Sequence, residues 1–270
     1  MRILALIKYT LDVAEIRVDA NTKELLMDGV PRRMGVIDKN VVEAAVSLKE
    51  SLGGSVIGLC LGPKAAVDSF KDVLAMGLDE VYLVEDPFNG EGEPRVAASI
   101  LEAAIRKLAA LDLILCGFAS DDGYTYQTPP RLSERLDLPL VSYARGLSVS
   151  DGVLQADRDL EDGLQRVQVS LPALVSVGEE AYPPRRTTLM DAIKAKKKPV
   201  HHWGVEADLG LKVDELAQLS QITSTTQTGV IVKRKLEILK GATPEELADR
   251  LIDSLLREGL LKGAALNERQ

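Results

Sequence analysis

Histidine and cysteine are scarce in this chain of 270 residues: there are two of each, alongside one tryptophan and three phenylalanines. A catalytic centre built on imidazole or thiolate has little to draw on. Cys60 and Cys116 each lie inside an apolar run, so they read as small buried hydrophobes rather than a disulfide framework or a metal site. His201 and His202 are adjacent, and on a strand they would point to opposite faces. Shared metal ligation is therefore disfavoured, and an exposed or interface pair is expected. No serine has a histidine and carboxylate context that spacing supports, which disfavours hydrolase chemistry. Long hydrophobic runs are missing too, since none approaches the roughly 20 apolar residues of a membrane span. The opening MRILALIKYT resembles a signal peptide only superficially, because its apolar stretch is short, holds a lysine and lacks a small-residue cleavage pattern. A cytoplasmic protein in a reducing compartment, not itself embedded in a membrane, is the expectation.

Positive charge is in deficit. Lysine plus arginine number 33 against 41 aspartate plus glutamate, a formal charge of −8, and this argues against nucleic acid as a default partner. What the chain does have is apolar mass: 46% of residues are hydrophobic, ample for a core and incompatible with overall disorder. At roughly 100–200 residues per domain, the length suggests one large domain or a domain with an appendage.

The pattern along the chain supports that division. Arg2–Tyr9 is mostly apolar, as a strand buried on both faces would be. Short strands are expected at Ile16–Val18 and Glu24–Met27. A helix over Asp38–Leu52 would be capped by Asp38 and stopped by Gly53–Gly54. Ser55–Leu61 reads as a strand, Pro63–Met76 as a helix with proline in its first turn, Glu80–Glu85 as a strand and Arg95–Ala109 as a helix. Leu111–Cys116 is another apolar strand, and a helix follows over about Pro130–Leu136. This alternation predicts an α/β fold, a doubly wound and mostly parallel sheet of the Rossmann-like, adenine-nucleotide-binding kind. Strand-like pieces at Leu140–Ser148, Val153–Ala156, Gln165–Ser170 and Ala173–Val177 then suggest an antiparallel extension. After residue 199 periodicity fades, and residues 200–235 look extended and linker-like. Thr243–Glu246 forms a capping-box sequence with proline at the first helical position, opening an amphipathic helix to about Leu256. Residues 1–199 are expected to form the nucleotide-binding domain, and 200–270 an arm and helix that pack on another subunit.

In doubly wound sheets, ligands bind beyond the carboxyl ends of the strands, where backbone amides and helix N-termini meet anions. The stretch from Gly117 to Thr128 falls there. Gly117, Ala119 and Gly123 allow close approach, while Ser120, Tyr124, Thr125, Tyr126 and Thr128 carry hydroxyls suited to phosphate oxygens. Gln127 adds an amide, Asp121 and Asp122 add carboxylates, and Phe118 adds an aromatic ring. An ordinary polar strand–helix loop would look much the same. No G-x-G-x-x-G follows the first strand and there is no Walker A lysine, so any nucleotide is held by a different loop. A second unusual stretch, Tyr182–Lys198, gathers two arginines and four lysines around Leu189 and Met190 on an otherwise acidic protein. Either a solvated helix end or a partner-docking loop would account for it.

Several segments resemble the β subunit of electron transfer flavoproteins, the group that includes FixA-type proteins, along essentially the whole chain. Ile3–Lys8 is similar to the family's opening strand and lysine. Met34–Glu50 resembles the segment N-P-x-D-x-x-x-x-E-A-A-x-x-L-K-E, Leu74–Asp79 resembles L-A-M-G-A-D, and Pro184–Lys198 resembles P-R-x-x-T-L-x-x-I-x-K-A-K-K-K. The resemblance implies an α-subunit partner holding most of an FAD. It also implies a second adenine nucleotide on the β subunit, AMP in ordinary members and another FAD in electron-bifurcating ones. It assigns the nucleotide loop to Gly117–Thr128, with Leu6, Gly35, Asp38 and Leu61 contributing from neighbouring strand ends. Asp122, Gly123, Thr125, Gln127 and Pro130 fit the bifurcating pattern D-G-D-T-A-Q-V-G-P, whereas Tyr124 replaces an acid, Pro129 a glycine, and Gly35–Val36 the usual Asn-Pro. The dehydrogenase-recognition loop maps to Tyr182–Lys198, with Leu189 as apolar anchor and Arg185, Lys194 and Lys197 around it. The implied function is electron carriage between flavin-dependent dehydrogenases and an acceptor such as a membrane quinone oxidoreductase. A stand-alone adenine-nucleotide sensor is the alternative.

Overall fold

The computed structural model describes residues 1–88, 93–108, 110–178, 181–220 and 236–261. Chain order begins with β1 (Arg2–Ile7), the short strands β2 (Tyr9–Leu11), β3 (Arg17–Val18), β4 (Leu25–Leu26) and β5 (Arg32–Met34), then α1 (Val36–Leu52) and β6 (Ser55–Gly62). It continues with α2 (Val67–Met76), β7 (Glu80–Glu85), α3 (Pro94–Leu108), β8 (Leu113–Gly117) and α4 (Thr128–Leu136). Strands β9 (Leu140–Ser150), β10 (Val153–Leu160), β11 (Gly163–Ser170) and β12 (Ala173–Val177) precede α5 (Leu189–Ala195), β13 (Val200–Gly204), α6 (Val205–Leu209), α7 (Val213–Leu219) and α8 (Pro244–Arg257).

Nine strands form one sheet in the order β11-β10-β9-β12-β8-β1-β6-β7-β13. Seven of them, from β9 to β13, run parallel, and β10 and β11 extend the sheet antiparallel. This is the mostly parallel α/β architecture that the alternating pattern predicts, but of the four pieces expected as an antiparallel extension only β10 and β11 are antiparallel: β9 and β12 lie parallel within the sheet, β12 next to β8 and β9 next to β12. The central strands are continuous apolar runs because helices cover both of their faces: Ile3, Ala5, Cys60, Leu113 and Val175 pack with α1 and α2, while Leu4, Leu59, Ile114 and Leu174 pack with α3 and α4.

Several element ends differ from expectation. α1 opens at Val36 with Gly35 as N-cap, so Asp38 lies inside the first turn and does not cap. The reason is local: the Asp121 carboxylate accepts the Val36 N–H at 2.6 Å and takes the capping role from outside the helix. The stretch after Pro63 starts as a 3-10 turn at Lys64–Ala66 before α2 begins. Strands β3 and β4 are shorter than the spans expected around them. Residues 200–219 are not linker-like. β13 pairs in parallel with β7 at the sheet edge, and Val205 on α6 and Leu216 on α7 are buried in the α3-side core. Histidine-rich β13 lacks the apolar run of an interior strand because it is an edge strand. His201 stacks on Tyr82, with its Nε2 2.9 Å from Glu80 Oε2, and Lys107 sits over the Trp203 ring. Residues 221–235 lie outside the described residues, and α8 has no buried residue.

The Leu74–Asp79 segment is explained by packing. Gly77 ends α2 at φ +133°, and a Cβ there would lie 2.7 Å from Val46 Cγ1 on α1. Asp79 accepts the Val56 N–H at 2.8 Å and pairs with Lys49 at 3.0 Å, locking the turn to β6 and α1. Gly77→Ala combines an unfavourable φ with overpacking against Val46 and is expected to lower stability by about 1–3 kcal/mol, measured as a reduced midpoint in urea unfolding.

Candidate functional site

β1 is flanked by β6 on one side and β8 on the other. The chain moves outward in opposite directions from this point, which makes it the topological switch point where the carboxyl ends of a doubly wound sheet leave a crevice. A cavity of about 380 Å³ opens there, within the usual size for a small-molecule site. Its base is apolar, with Leu6, Leu59, Leu61, Val96, Ile100 and Leu101. Its polar side comes from the β1 end and the β8–α4 loop, including Lys8, Ser120, Asp122, Thr125, Gln127 and Thr128.

Backbone shape determines how the loop reaches this crevice. A Cβ on Gly117 would lie 2.7 Å from Ile37 Cγ2 and 2.8 Å from the Ala119 carbonyl, so only glycine lets α1 pack against the end of β8. Tyr124 and Tyr126 adopt left-handed φ values of +46° and +61°, a conformation costing non-glycine residues on the order of 1 kcal/mol each. Both rings pack around Phe118, with centroids 5.8 and 5.7 Å away, and Tyr143 approaches it from β9 at 5.9 Å. Phe118 is buried, and the aromatic contacts hold the strained loop in place. Gln127 precedes α4, and its Oε1 accepts two hydrogen bonds from the Arg131 guanidinium at 3.0 and 2.8 Å.

The carboxyl groups of Asp38, Asp86 and Asp122 and the Lys8 ammonium line the cavity, while Asp121 lies near Gly35, outside the lining. Lys8 Nζ lies 2.8 Å from Asp122 Oδ1 and 3.4 Å from Ser120 Oγ. Burial would raise the Asp122 carboxyl, but hydrogen bonding and charge from Lys8 outweigh it and hold Asp122 below the usual carboxylate range. Asp38 is displaced the other way: burial, reinforced by the charge of Asp121, pushes it up to about 8. Arg32, carried to the rim by the antiparallel pairing of β2 with β5, lines the same cavity and makes no ion pair among the described residues. An apolar base beneath a rim holding Lys8, Arg32 and several hydroxyls suits a ligand with a flat ring at one end and phosphate at the other. Among the described residues, no group of three or more His, Cys, Asp or Glu could hold a metal ion, and no helix is long and apolar enough to cross a membrane.

The family model described as the electron transfer flavoprotein domain matches residues 24–208. The electron transfer flavoprotein subunit beta of Thermoanaerobacterium thermosaccharolyticum is 33% identical over 256 residues, covering 94% of this chain and 98% of that protein. The caffeyl-CoA reductase-Etf complex subunit CarD of Acetobacterium woodii is 30% identical over 263 residues, 97% of this chain and all of that protein. The subunit beta of Megasphaera elsdenii is 28% identical over 265 residues, 93% of this chain and 98% of its own length. The chain belongs to the electron transfer flavoprotein family.

Of the residues assigned to the nucleotide site by resemblance to that family, Leu6, Asp38, Leu61 and most of Gly117–Thr128 line the cavity. Gly35, Asp121 and Tyr124 do not line it. Gly35 lies where an added Cβ would collide with the Asp38 carboxyl and come within 3.0 Å of Asp121 Oδ2, Asp121 caps α1, and Tyr124 packs edge-on against Phe118. Val36 stands where the family pattern has proline, and it thereby supplies the N–H that binds Asp121, which proline lacks. Sequence reading missed Lys8 and Arg32 as cavity residues. A lysine directly after six strand residues was a signal for Lys8, but nothing local marked Arg32.

The basic segment divides into two sets. Arg185 is committed to the protein body: its guanidinium meets Glu43 at 2.8 Å and Glu50 at 2.6 Å on α1. Lys198 donates to the carbonyls of Leu74 and Leu78. Between these anchors, a capping box of Thr188 and Asp191 starts α5. Leu189 there is 78% exposed and Met190 60%, and Lys194 and Lys197 are exposed as well.

Lys8→Met is expected to move the Asp122 titration to higher pH, as followed by carboxyl NMR. Because the Lys8–Asp122 pair is partly exposed, stability at pH 7 should fall by only about 0.5 kcal/mol. The depressed Asp122 pKa contributes stability at neutral pH that disappears as pH falls through it. The difference between the two proteins should vanish in acid.

Proposed function

We propose that this chain is the β subunit of a heterodimeric electron transfer flavoprotein whose cavity at the β1/β8 switch point holds an adenine nucleotide, either AMP or a second FAD. The observation carrying this reading is the cavity itself: in a chain of this family, the loop expected to bind the nucleotide folds over an apolar crevice with Lys8 and Arg32 at its rim. An FAD shared with an α subunit supplies the redox chemistry, and this chain's residues position the nucleotide and shield it from water. Asp122, Gly123, Thr125 and Gln127 favour the loop version found in electron-bifurcating members, so FAD is the preferred occupant. Co-expression with an α subunit followed by extraction is expected to release flavin, with two FAD per heterodimer in the bifurcating case and one FAD plus AMP otherwise. A purified complex without flavin would contradict the reading.

The C-terminal segment is the other part of this assignment. Helix α8 leaves Leu247, Leu251, Ile252 and Leu256 exposed in this single chain, and packing on the α subunit would bury that stripe. A stand-alone sensor would have no use for it.

Leu189 and Met190, presented on α5 with Lys194 and Lys197 around them, form the dehydrogenase-docking anchor, and Arg185 holds the segment on the body. Leu189→Ala is expected to slow electron transfer from the partner dehydrogenase by roughly tenfold or more, with flavin content unchanged. Equal loss of both properties would make Leu189 a structural residue. Raising salt should also weaken this coupling, because exposed lysines are screened; a salt-insensitive rate would count against docking by charge.

A further inference from the structure

Two adjacent arginines on β5 are turned to opposite sides. In the antiparallel ladder Tyr9 lies across from Met34, Thr10 from Arg33 and Leu11 from Arg32. Residues directly opposite share a face and successive residues alternate, so Tyr9, Leu11, Arg32 and Met34 are on one side of the ribbon and Thr10 and Arg33 on the other. Tyr9 and Arg32 both line the cavity, which identifies theirs as the side turned toward it. The register is fixed by Met34, only 1% exposed, and by the Asp12 N–H donating to the Pro31 carbonyl at 2.8 Å. On the other side Arg33 pairs with Asp12 at 2.9 Å, whereas Arg32 has no carboxylate partner among the described residues.

The charges around the cavity give that difference a consequence. Its charged lining residues are Lys8, Arg32, Asp38, Asp86 and Asp122. Lys8 is committed to Asp122 at 2.8 Å. Asp38 is buried, and burial together with Asp121 pushes it up to about 8, so it adds little charge at neutral pH. Asp86 brings a further carboxyl at the end of β7, where its Oδ1 accepts the Phe88 N–H at 2.9 Å. With Lys8 matched by Asp122, Arg32 is the cation that remains to oppose Asp86 and an entering anion. Without it, a phosphate would meet more carboxylate than cation.

We propose that Arg32 is a phosphate-binding residue of the nucleotide site, its guanidinium donating to the phosphate of AMP or the diphosphate of FAD from the β2–β5 side of the cavity. This rests on the adenine-nucleotide reading of the cavity. A guanidinium presents a planar fork that meets two phosphate oxygens at once, which an ammonium does not. Arg32 is exposed and can turn to a phosphate without breaking an ion pair, whereas Lys8 would have to leave Asp122. The β2–β5 ribbon, which stands outside the nine-stranded sheet, thereby has a role: it carries a cation to the mouth of the crevice. Because the contact is to phosphate and not to the base or ribose, Arg32 separates nucleotides from nucleosides.

The test uses the α–β complex freed of its β-site nucleotide and titrated calorimetrically at neutral pH with AMP and, separately, with FAD; adenosine is measured by competition against AMP. Arg32→Gln should weaken AMP and FAD by about tenfold and leave adenosine unchanged. Arg32→Lys, which keeps the charge but loses the fork, should recover only part of that loss. Arg33→Gln removes the same charge one residue away and should leave all three affinities unchanged, because Arg33 is turned to Asp12. An Arg32→Gln complex that binds AMP and FAD as wild type does, an equal loss for adenosine, or an equal loss in Arg33→Gln would each overturn the proposal while leaving the nucleotide reading intact. A loss confined to AMP or to FAD would uphold it and show whose phosphate Arg32 meets. A wild-type complex that binds neither AMP nor FAD would overturn both.

Discussion

The parallel pairing of β1 with β6 on one side and β8 on the other is the constraint on which the site depends. Residues Ile3 to Ala5 hydrogen-bond within the sheet to both neighbours at once, so β1 is buried on both faces and on both edges. Its carboxyl end brings Lys8 to the crevice, while β6 and β8 deliver Leu61 and Gly117. A slip of β1 by one residue would exchange the side chains facing the two helical layers. Ile3 and Ala5 would then turn toward α3, and Leu4 and Leu6 toward α1, abolishing both cores together.

Around that crevice the protein builds opposed ionisation states from chemically identical groups. Asp122 has an ammonium partner and stays ionised. Asp38, buried in the wall of the same cavity, has none among the described residues and is driven toward neutrality by burial and by Asp121. Asp121 in turn is held in place because residue 36 is not proline and residue 35 has no side chain. The departures of Gly35–Val36 from the family pattern thus act as a pair: one residue makes room for the carboxylates and the other binds one of them. The strained tyrosines of the β8–α4 loop are held by Phe118, whose burial anchors a loop that would otherwise relax.

Much of this was legible in the sequence wherever a residue's role follows from its neighbours in the chain. β1, β6 and β8 announced themselves as apolar runs because strands covered on both faces carry no polar alternation, whereas β12 was expected in the antiparallel extension and is a parallel strand beside β8. The β8–α4 loop was recognisable from its small residues, hydroxyls and paired carboxylates. β13 was missed because an edge strand pairs on one side only and tolerates His201, His202 and Trp203, so its pattern resembles a linker. Arg32 was missed because it reaches the cavity through β2–β5 pairing, a contact between distant residues that no local spacing announces.

The basic segment shows where that limit falls. Composition alone marked six cations between Tyr182 and Lys198 on an acidic protein, and family resemblance pointed to docking. Only the folded chain separates Arg185 and Lys198, which anchor the segment to α1 and α2, from Lys194 and Lys197, which face outward. The sequence by itself determined the alternation of the long strands and helices from β1 to α4, the two-sided burial of the central sheet and the chemistry of the β8–α4 loop, because these follow from residues close in the chain. The tertiary structure alone decided which cations are held by carboxylates and which carboxyl keeps its proton. Those properties depend on desolvation and on charges brought together from distant segments.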